Sequence, residues 1–249
     1  MFDAKVESEK IIKFIQNYYK ENNLTGAVIG ISGGKDSGVV AGLFSRALGS
    51  DNVVGIWMPC HSNEIDKENA KKVSKKFGFE LLEHDLTNTY ENYVKQIKEI
   101  NKINDEDLID SNINIKPRLR MMTLYYYAAM LTRKNKKVYI VPGTSNKCEI
   151  YVGYFTKGGD SVSDIKTIAD LTVDEVIQIG EELNVPHEVL YKAPNDGLSN
   201  LTDEDKLGVK YSDIAKYMNG EKLEEDVYQE IKNLHENSRH KFNIPTYKK

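Results

Sequence analysis

The sequence predicts an α/β fold, a doubly wound parallel sheet with helices on both faces. Three observations carry the prediction. Short runs rich in β-branched residues alternate with longer amphipathic stretches from Ala27 to His84, strand, helix, strand, helix, strand. A glycine-rich turn, Gly30 to Ser37, sits at the carboxyl end of the first strand, where open α/β sheets bind their ligands. The 249 residues hold no internal repeat, low-complexity tract or Pro/Ser linker, so residues 1–249 read as one domain.

The elements follow in order. Val6, Ile11, Ile12, Phe14, Ile15 and Tyr18 mark one side of an amphipathic helix ending near Asn22 and Asn23. Ala27 to Ile31 has strand length, and Gly38 to Leu48 reads as a helix. Asn52 to Met58 is the next strand, stopped by Pro59. Glu64 to Phe77 is a charged helix with Ile65, Ala70, Val73 and Phe77 turned inward, and Gly78 ends it. Phe79 to His84 is the third strand and Thr87 to Ile100 a helix. Asn101 to Asn112 is polar, and its acidic part is a short loop or a lid. Lys116 starts a helix to about Arg133, with Met121, Leu124, Tyr125, Ala128, Ala129 and Leu131 forming a broad apolar face. Val138 to Val141 is a short buried strand ended by Pro142.

Beyond it, Gly143 to Asp164 reads as one long loop, of a length that is usually functional or disordered, and its Tyr and Phe residues argue against plain disorder. Thr172 to Leu183 is a helix with a Thr172/Glu175 capping box. Pro194 to Gly197 is a turn. Thr202 caps a short helix from Asp203, Tyr211 to Met218 is another, and Glu221 to Asn237 is amphipathic. The tail Ser238 to Phe242 is basic.

A formal net charge of −4 disfavours a nucleic-acid partner. Two cysteines, Cys60 and Cys148, give neither a disulfide framework nor a zinc spacing, which suits a reducing cytoplasm. No apolar leader or membrane-length run is present.

The glycine turn carries the chemistry. Unpaired N–H groups at a helix start, with glycines that let the backbone approach a ligand, make an anion cradle. No Gly-Lys-Ser/Thr closes the turn, so it is not a Walker loop. Ser32-Gly33-Gly34-Lys35-Asp36-Ser37 matches S-G-G-x-D-S, the loop of enzymes that split ATP into AMP and pyrophosphate. A carboxylate beside phosphates needs a cation between them, so Asp36 reads as a Mg²⁺ ligand or a helix cap. Ser32 and Ser37 are placed to donate to phosphate. Lys35 occupies the variable position of the pattern and reads as exposed.

Over nearly its whole length the chain resembles the ammonia-dependent NAD synthetases. The likeness runs through Gly30 to Ser37, Arg118-Leu119-Arg120-Met121, Gly143-Thr144 with Glu149, and Gly153-Tyr154-Phe155-Thr156-Lys157. It continues in Gly159-Asp160 with Asp164, Lys192-Ala193-Pro194, Thr202-Asp203-Glu204 and His240-Lys241. The resemblance implies ATP-dependent amidation of deamido-NAD: the nicotinate carboxylate attacks the α-phosphorus, pyrophosphate leaves, and ammonia displaces AMP. It implies ATP contacts from Gly30, Ile31, Ser32, Gly33, Gly34, Lys35, Asp36, Ser37, Thr144 and Asn195, and Mg²⁺ on Asp36 and Glu149. It implies deamido-NAD contacts from Arg118, Lys157, Asp164, His240 and Lys241, and a homodimer with that site across the interface. Asp160, in the same loop, is placed to steer or deprotonate ammonium. No glutaminase domain is expected, so free ammonia is the expected nitrogen donor.

The chain departs from the family pattern at several places, among them the stretch Asn195-Asp196-Gly197-Leu198, which stands in place of a Ser/Thr-Ala-Asp-Leu pattern. Val173 and Asn195 stand where Lys and Thr usually contact ATP, and Phe242 stands where Arg is common. Lys166 and Lys192 are the candidate replacements for the missing cation. The alternatives are another enzyme of the same loop class, such as a tRNA-modifying one, which calls for a basic footprint, and a module that binds nucleotide without turnover.

Overall fold

The computed structural model describes residues 2–101, 103–192, 202–242 and 244–248. Helix α1 (Ala4–Glu21) starts at Asp3, whose carboxylate accepts the Val6 N–H at 3.1 Å. Then come β1 (Gly26–Gly30), α2 (Lys35–Leu48), β2 (Val53–Trp57), α3 (Glu64–Phe77) and β3 (Glu80–Glu83). Helices α4 (Thr87–Asn101) and α5 (Ile109–Asn135) lead to β4 (Tyr139–Ile140). The remainder holds β5 (Pro142–Gly143), α6 (Lys147–Val152), β6 (Ile165–Lys166), α7 (Val173–Leu183) and α8 (His187–Leu190), then α9 (Asp203–Leu207), α10 (Tyr211–Met218) and α11 (Glu225–Ser238).

The main sheet has the order β3-β2-β1-β4, all parallel, with Val28 opposite Val54. Side-chain alternation along the strands divides the core. Ala27, Ile29, Val53 and Trp57 face one side, against Ile15, Phe44 and Ile179 of α1, α2 and α7. Val28, Val54 and Ile56 face the other, against Leu119 and Leu131 of α5. This is the expected parallel sheet with helices on both faces. A third cluster joins Cys148, Leu207, Ile214 and Ile231 under α6 and α9 to α11. Among the described residues no helix is long and apolar enough to cross a membrane.

Several local expectations need correction. In α1, Val6 and Phe14 are exposed, and the buried stripe is Ser8, Ile15 and Tyr19. The Tyr19 ring packs edge-on against Phe44, and its hydroxyl donates to the Gly26 carbonyl. In α3, Ile65 is 61% exposed, while Asp66 and Asn69 turn inward beside Ala70 and Val73. Apolar character misjudged that face because the helix covers a polar loop rather than only the core. Helix α5 begins at Ile109, not Lys116, and carries Pro117 inside it. Proline removes one backbone donor, and the helix passes through it instead of starting there. Ala129 lies on the exposed side of α5. The supposed loop from Gly143 to Asp164 contains α6. The Pro194 to Gly197 turn lies outside the described residues.

Candidate active site

The glycine loop joins β1 to α2, whose N-cap is Gly34, with no side chain capping the helix. The N-terminal amides of α2 therefore face a cavity of about 470 Å³ at the carboxyl end of the sheet. The two serine hydroxyls shape the loop. Ser37 Oγ donates to the Gly34 carbonyl (3.1 Å) and accepts the Ser32 N–H (3.2 Å). Ser32 Oγ lies 3.0 Å from Ser37 Oγ and accepts the Gly34 N–H. Gly33 has φ +80° and packs on α3, where Asn69 Nδ2 donates to its carbonyl at 3.4 Å.

Lys35 is buried, contrary to its reading as exposed. It is 6% exposed, its Nζ is 3.4 Å from Asp36 Oδ2, and it sits over the Tyr211 ring. Burial alone pulls its pKa down. The carboxylates of Asp36, Glu149 and Asp203 outweigh that and raise it, so Lys35 is the internal counter-ion of an acidic cluster.

Asn146 joins the two expected metal-binding carboxylates. Its Nδ2 donates to Asp36 Oδ1 at 3.1 Å, and it forms a capping box with Glu149 at the start of α6. The box consists of Glu149 N to Asn146 Oδ1 (3.1 Å) and Asn146 N to Glu149 Oε2 (3.0 Å). Sequence reasoning missed Asn146, although Asn-x-x-Glu ahead of an apolar pair is a helix-start signal. Burial, then the charge of Asp36, raises the Glu149 pKa well above the usual carboxylate range. Two oxygen-donor carboxylates beside an anion cradle, short of positive charge, fit Mg²⁺, which takes one or two carboxylates and completes its shell with phosphate and water. Among the described residues no set of three or more His, Cys, Asp or Glu forms a self-sufficient metal cage. Asp203, 7% exposed and held by the Tyr154 hydroxyl at 3.0 Å, is a third carboxylate on the wall that sequence reasoning left without a role.

Thr144, Asp160 and Lys241 line the same cavity. Asp160 accepts the Thr156 N–H at 2.8 Å. Lys241 Nζ donates to the Gly153 and Phe155 carbonyls at 2.7 and 2.9 Å, fastening the C-terminal tail to the glycine-rich loop. Arg118, Lys157 and His240 lie outside the lining, each one residue from a lining residue, and form an exposed chain. Arg118 donates to the Lys157 carbonyl (3.2 and 3.3 Å), and Lys157 Nζ donates to the His240 carbonyl (3.2 Å). Asp164 is also outside the lining. Its carboxylate accepts the Val141 N–H at 2.7 Å and the Tyr125 hydroxyl at 3.1 Å, which ties the residue before β6 to the residue after β4 and to α5. Val173 packs into the third cluster, and Lys166 is not on the cavity wall, whereas Lys192 is. Asn195 lies outside the described residues. Both cysteines are buried, and burial pushes the Cys148 thiol up to about 11, so neither is a ready nucleophile.

Burial raises the Asp160 pKa, against the opposing pull of the Thr156 and Asp160 N–H groups and of Lys241 and Arg120. A carboxyl with a folded pKa above its unfolded value of 3.8 favours the fold when protonated. Its contribution is present below the unfolded pKa and is lost as pH rises through the folded one. Asp160→Asn keeps an acceptor for Thr156 and removes the titrating group. It is expected to flatten the fall in Tm above pH ~4 in pH-dependent thermal melts. A variant curve parallel to wild type would contradict this.

The NAD synthase family model matches residues 7–245. An NH(3)-dependent NAD(+) synthetase from Carboxydothermus hydrogenoformans is 36% identical over 240 residues, 96% of this chain and 95% of the relative. The solved NMN synthetase from Francisella tularensis superposes with a TM-score of 0.90 at 30% identity, covering 100% of this chain and 99% of that one. An NH3-dependent NAD synthetase from Campylobacter jejuni gives a TM-score of 0.80 at 28% identity, with both chains covered in full. With the family model matching residues 7–245 and a relative 36% identical over 96% of the chain, the chain belongs to the NAD synthase family.

Proposed function

We propose that the protein forms NAD from deamido-NAD, ATP and ammonia through an acyl adenylate, releasing AMP and pyrophosphate. One observation carries the reading: the glycine loop with Asp36 and Glu149 lines the same cavity as Asp160 and Lys241. A carboxylate is a poor acyl donor until one of its oxygens becomes a good leaving group. The loop amides hold the β- and γ-phosphates while the nicotinate carboxylate oxygen attacks the α-phosphorus and pyrophosphate departs. Ammonia then adds to the acyl carbon and AMP leaves with the attacking oxygen. Asp160, a carboxyl with a raised pKa on the acceptor side, takes the proton that ammonium must lose. Asp36 and Glu149 would hold Mg²⁺, which supplies charge neutralisation at the phosphates when bound.

The names of the relatives support free ammonia as donor; that residues 1–249 act as one functional unit in the cytoplasm is part of the same proposal. Arg118, Lys157, His240 and Asp164, outside the cavity lining, suit the distal half of a dinucleotide. A homodimer fits the surface of α5: Met122, Tyr126 and Met130 repeat at helical spacing and are 55%, 71% and 40% exposed. Met122→Glu with Tyr126→Glu is expected to give monomers in sedimentation and at least a ~10-fold loss of activity, if the partner completes the site. A wild-type protein that sediments as a fully active monomer would overturn the dimer.

A second reading concerns the size of the acid substrate. The likeness to an NMN synthetase, with a TM-score of 0.90, motivates this reading, in which the product is the mononucleotide NMN. The test is turnover with ATP, Mg²⁺ and ammonium, given either deamido-NAD or nicotinate mononucleotide. NAD and AMP in equal amounts support the first reading. A higher kcat/KM with the mononucleotide supports the second, and formation of ADP, or no product from either acid, defeats both.

A further inference from the structure

The glycine loop contains one lysine, and that lysine is already committed to the protein's own carboxylates. Lys35 is 6% exposed, paired with Asp36 and seated over Tyr211. Two other cations of the cavity wall are tied to backbone carbonyls, Lys241 to Gly153 and Phe155 and Arg120 Nε to Met58. A polyphosphate in the cavity therefore meets little positive charge from these groups beyond helix and loop amides. Val173, where the family pattern leads one to look for a lysine, is packed into the third cluster and does not reach the cavity.

Lys192 is placed differently. It lines the cavity together with Gly34 and Lys35, and its Nζ makes an ion pair with Asp66. The Asp66 side chain is 7% exposed and that of Lys192 is 23% exposed. Asp66 belongs to the floor of the glycine loop: its backbone carbonyl lies where a side chain on Gly33 would be, 2.5 Å from an ideal Cβ. Asn69, one turn on, donates to the Gly33 carbonyl. A carboxylate this buried persists only with a partner. The pairing fixes the ammonium beside the loop, and both partners lie on the cavity wall. Lysine is a compact point charge with three donors on a flexible stem, so it can keep the carboxylate and add a phosphate oxygen.

We propose that Lys192 is the lysine that contacts the ATP polyphosphate in this chain, with Asp66 as the positioning residue that holds it against the glycine loop. The proposal rests on the ATP-dependent reading above and names a residue for the leaving-group half of that site.

The experiment measures binding of α,β-methylene-ATP with Mg²⁺ by calorimetry, alongside thermal melts, so it does not depend on the identity of the acid substrate. Lys192→Met is expected to weaken binding at least ~10-fold, and Lys192→Arg to stay within ~3-fold of wild type. Lys192→Met alone strands a buried carboxylate and lowers Tm, so the deciding variant is Asp66→Asn with Lys192→Met, which removes both charges. That double variant is expected to melt near wild type yet bind the analogue as weakly as Lys192→Met, with KM for ATP raised and KM for ammonium unchanged. Wild-type affinity in the double variant would reduce the ion pair to a structural role and overturn the proposal. Absence of analogue binding by wild type would overturn it together with the ATP-dependent reading. A wild type that binds the analogue but makes no AMP would defeat the proposed reaction alone, and the variant series would still decide the role of Lys192.

Discussion

Asp36→Ala is expected to lower the rate of AMP and amide formation by ~10³-fold or more while leaving the fold intact. Asp36 stands in the first turn of α2 with its Oδ1 held by Asn146 and its Oδ2 near Lys35. Removing it takes away half of the carboxylate pair and leaves the buried ammonium of Lys35 with Glu149 as its main counter-charge. Asp36→Asn keeps an oxygen facing Asn146 but carries no charge, so it separates hydrogen bonding from electrostatics. Both variants are expected to be equally inactive in a coupled AMP assay. If Asp36→Asn retained activity within ~10-fold of wild type, the side chain would be acting through its hydrogen bond to Asn146 and not through its charge; Gly34 is the N-cap of α2 and no side chain caps that helix, so the helix-cap reading of Asp36 does not hold.

Gly33→Ala is expected to be the most damaging single methyl group in the loop. Gly33 has φ +80°, a conformation that costs an L-residue ~1–2 kcal/mol. The added Cβ would lie 2.5 Å from the Asp66 carbonyl, a backbone atom that cannot swing aside. Strain and forced separation of the loop from α3 together amount to ~2–4 kcal/mol, a fall in Tm of roughly 5–10 °C. The displaced loop amides are expected to cost ~10²-fold in kcat/KM for ATP. Gly34→Ala is the control: Gly34 has φ −103°, and a Cβ there meets only the Ser32 hydroxyl at 3.4 Å. Thermal melts of the two variants should differ by several degrees, and equal melting temperatures would contradict the packing account.

The parallel sheet and the loop were legible because short continuous apolar runs rich in β-branched residues and a glycine turn are local signals, written within a few consecutive residues. What stayed hidden depends on residues that meet only in space. Ile65 reads as an inward residue by hydropathy, yet Asp66 and Asn69 take that place because α3 covers a polar loop. Lys35 reads as exposed at a variable position, and only the convergence of Asp36, Glu149 and Asp203 from three helices makes a buried ammonium favourable there. Helix α6 was hidden by neighbouring glycines, although its Asn146 and Glu149 caps were in view. Asp164 came forward as a substrate contact through family likeness. In the fold it clasps Val141 and Tyr125, so any contact with ligand must share a carboxylate already accepting two hydrogen bonds.

The central claim is that a carboxylate oxygen attacks the α-phosphorus held at the glycine loop. It is tested most directly by following that oxygen. Deamido-NAD carrying ¹⁸O in both oxygens of its nicotinate carboxylate is turned over with unlabelled ATP and ammonium, and AMP and pyrophosphate are analysed by mass spectrometry. The expected result is a single ¹⁸O in each AMP, the other retained in the amide of NAD, and unlabelled pyrophosphate. AMP free of label, or label in the pyrophosphate, would contradict an acyl adenylate formed at this loop.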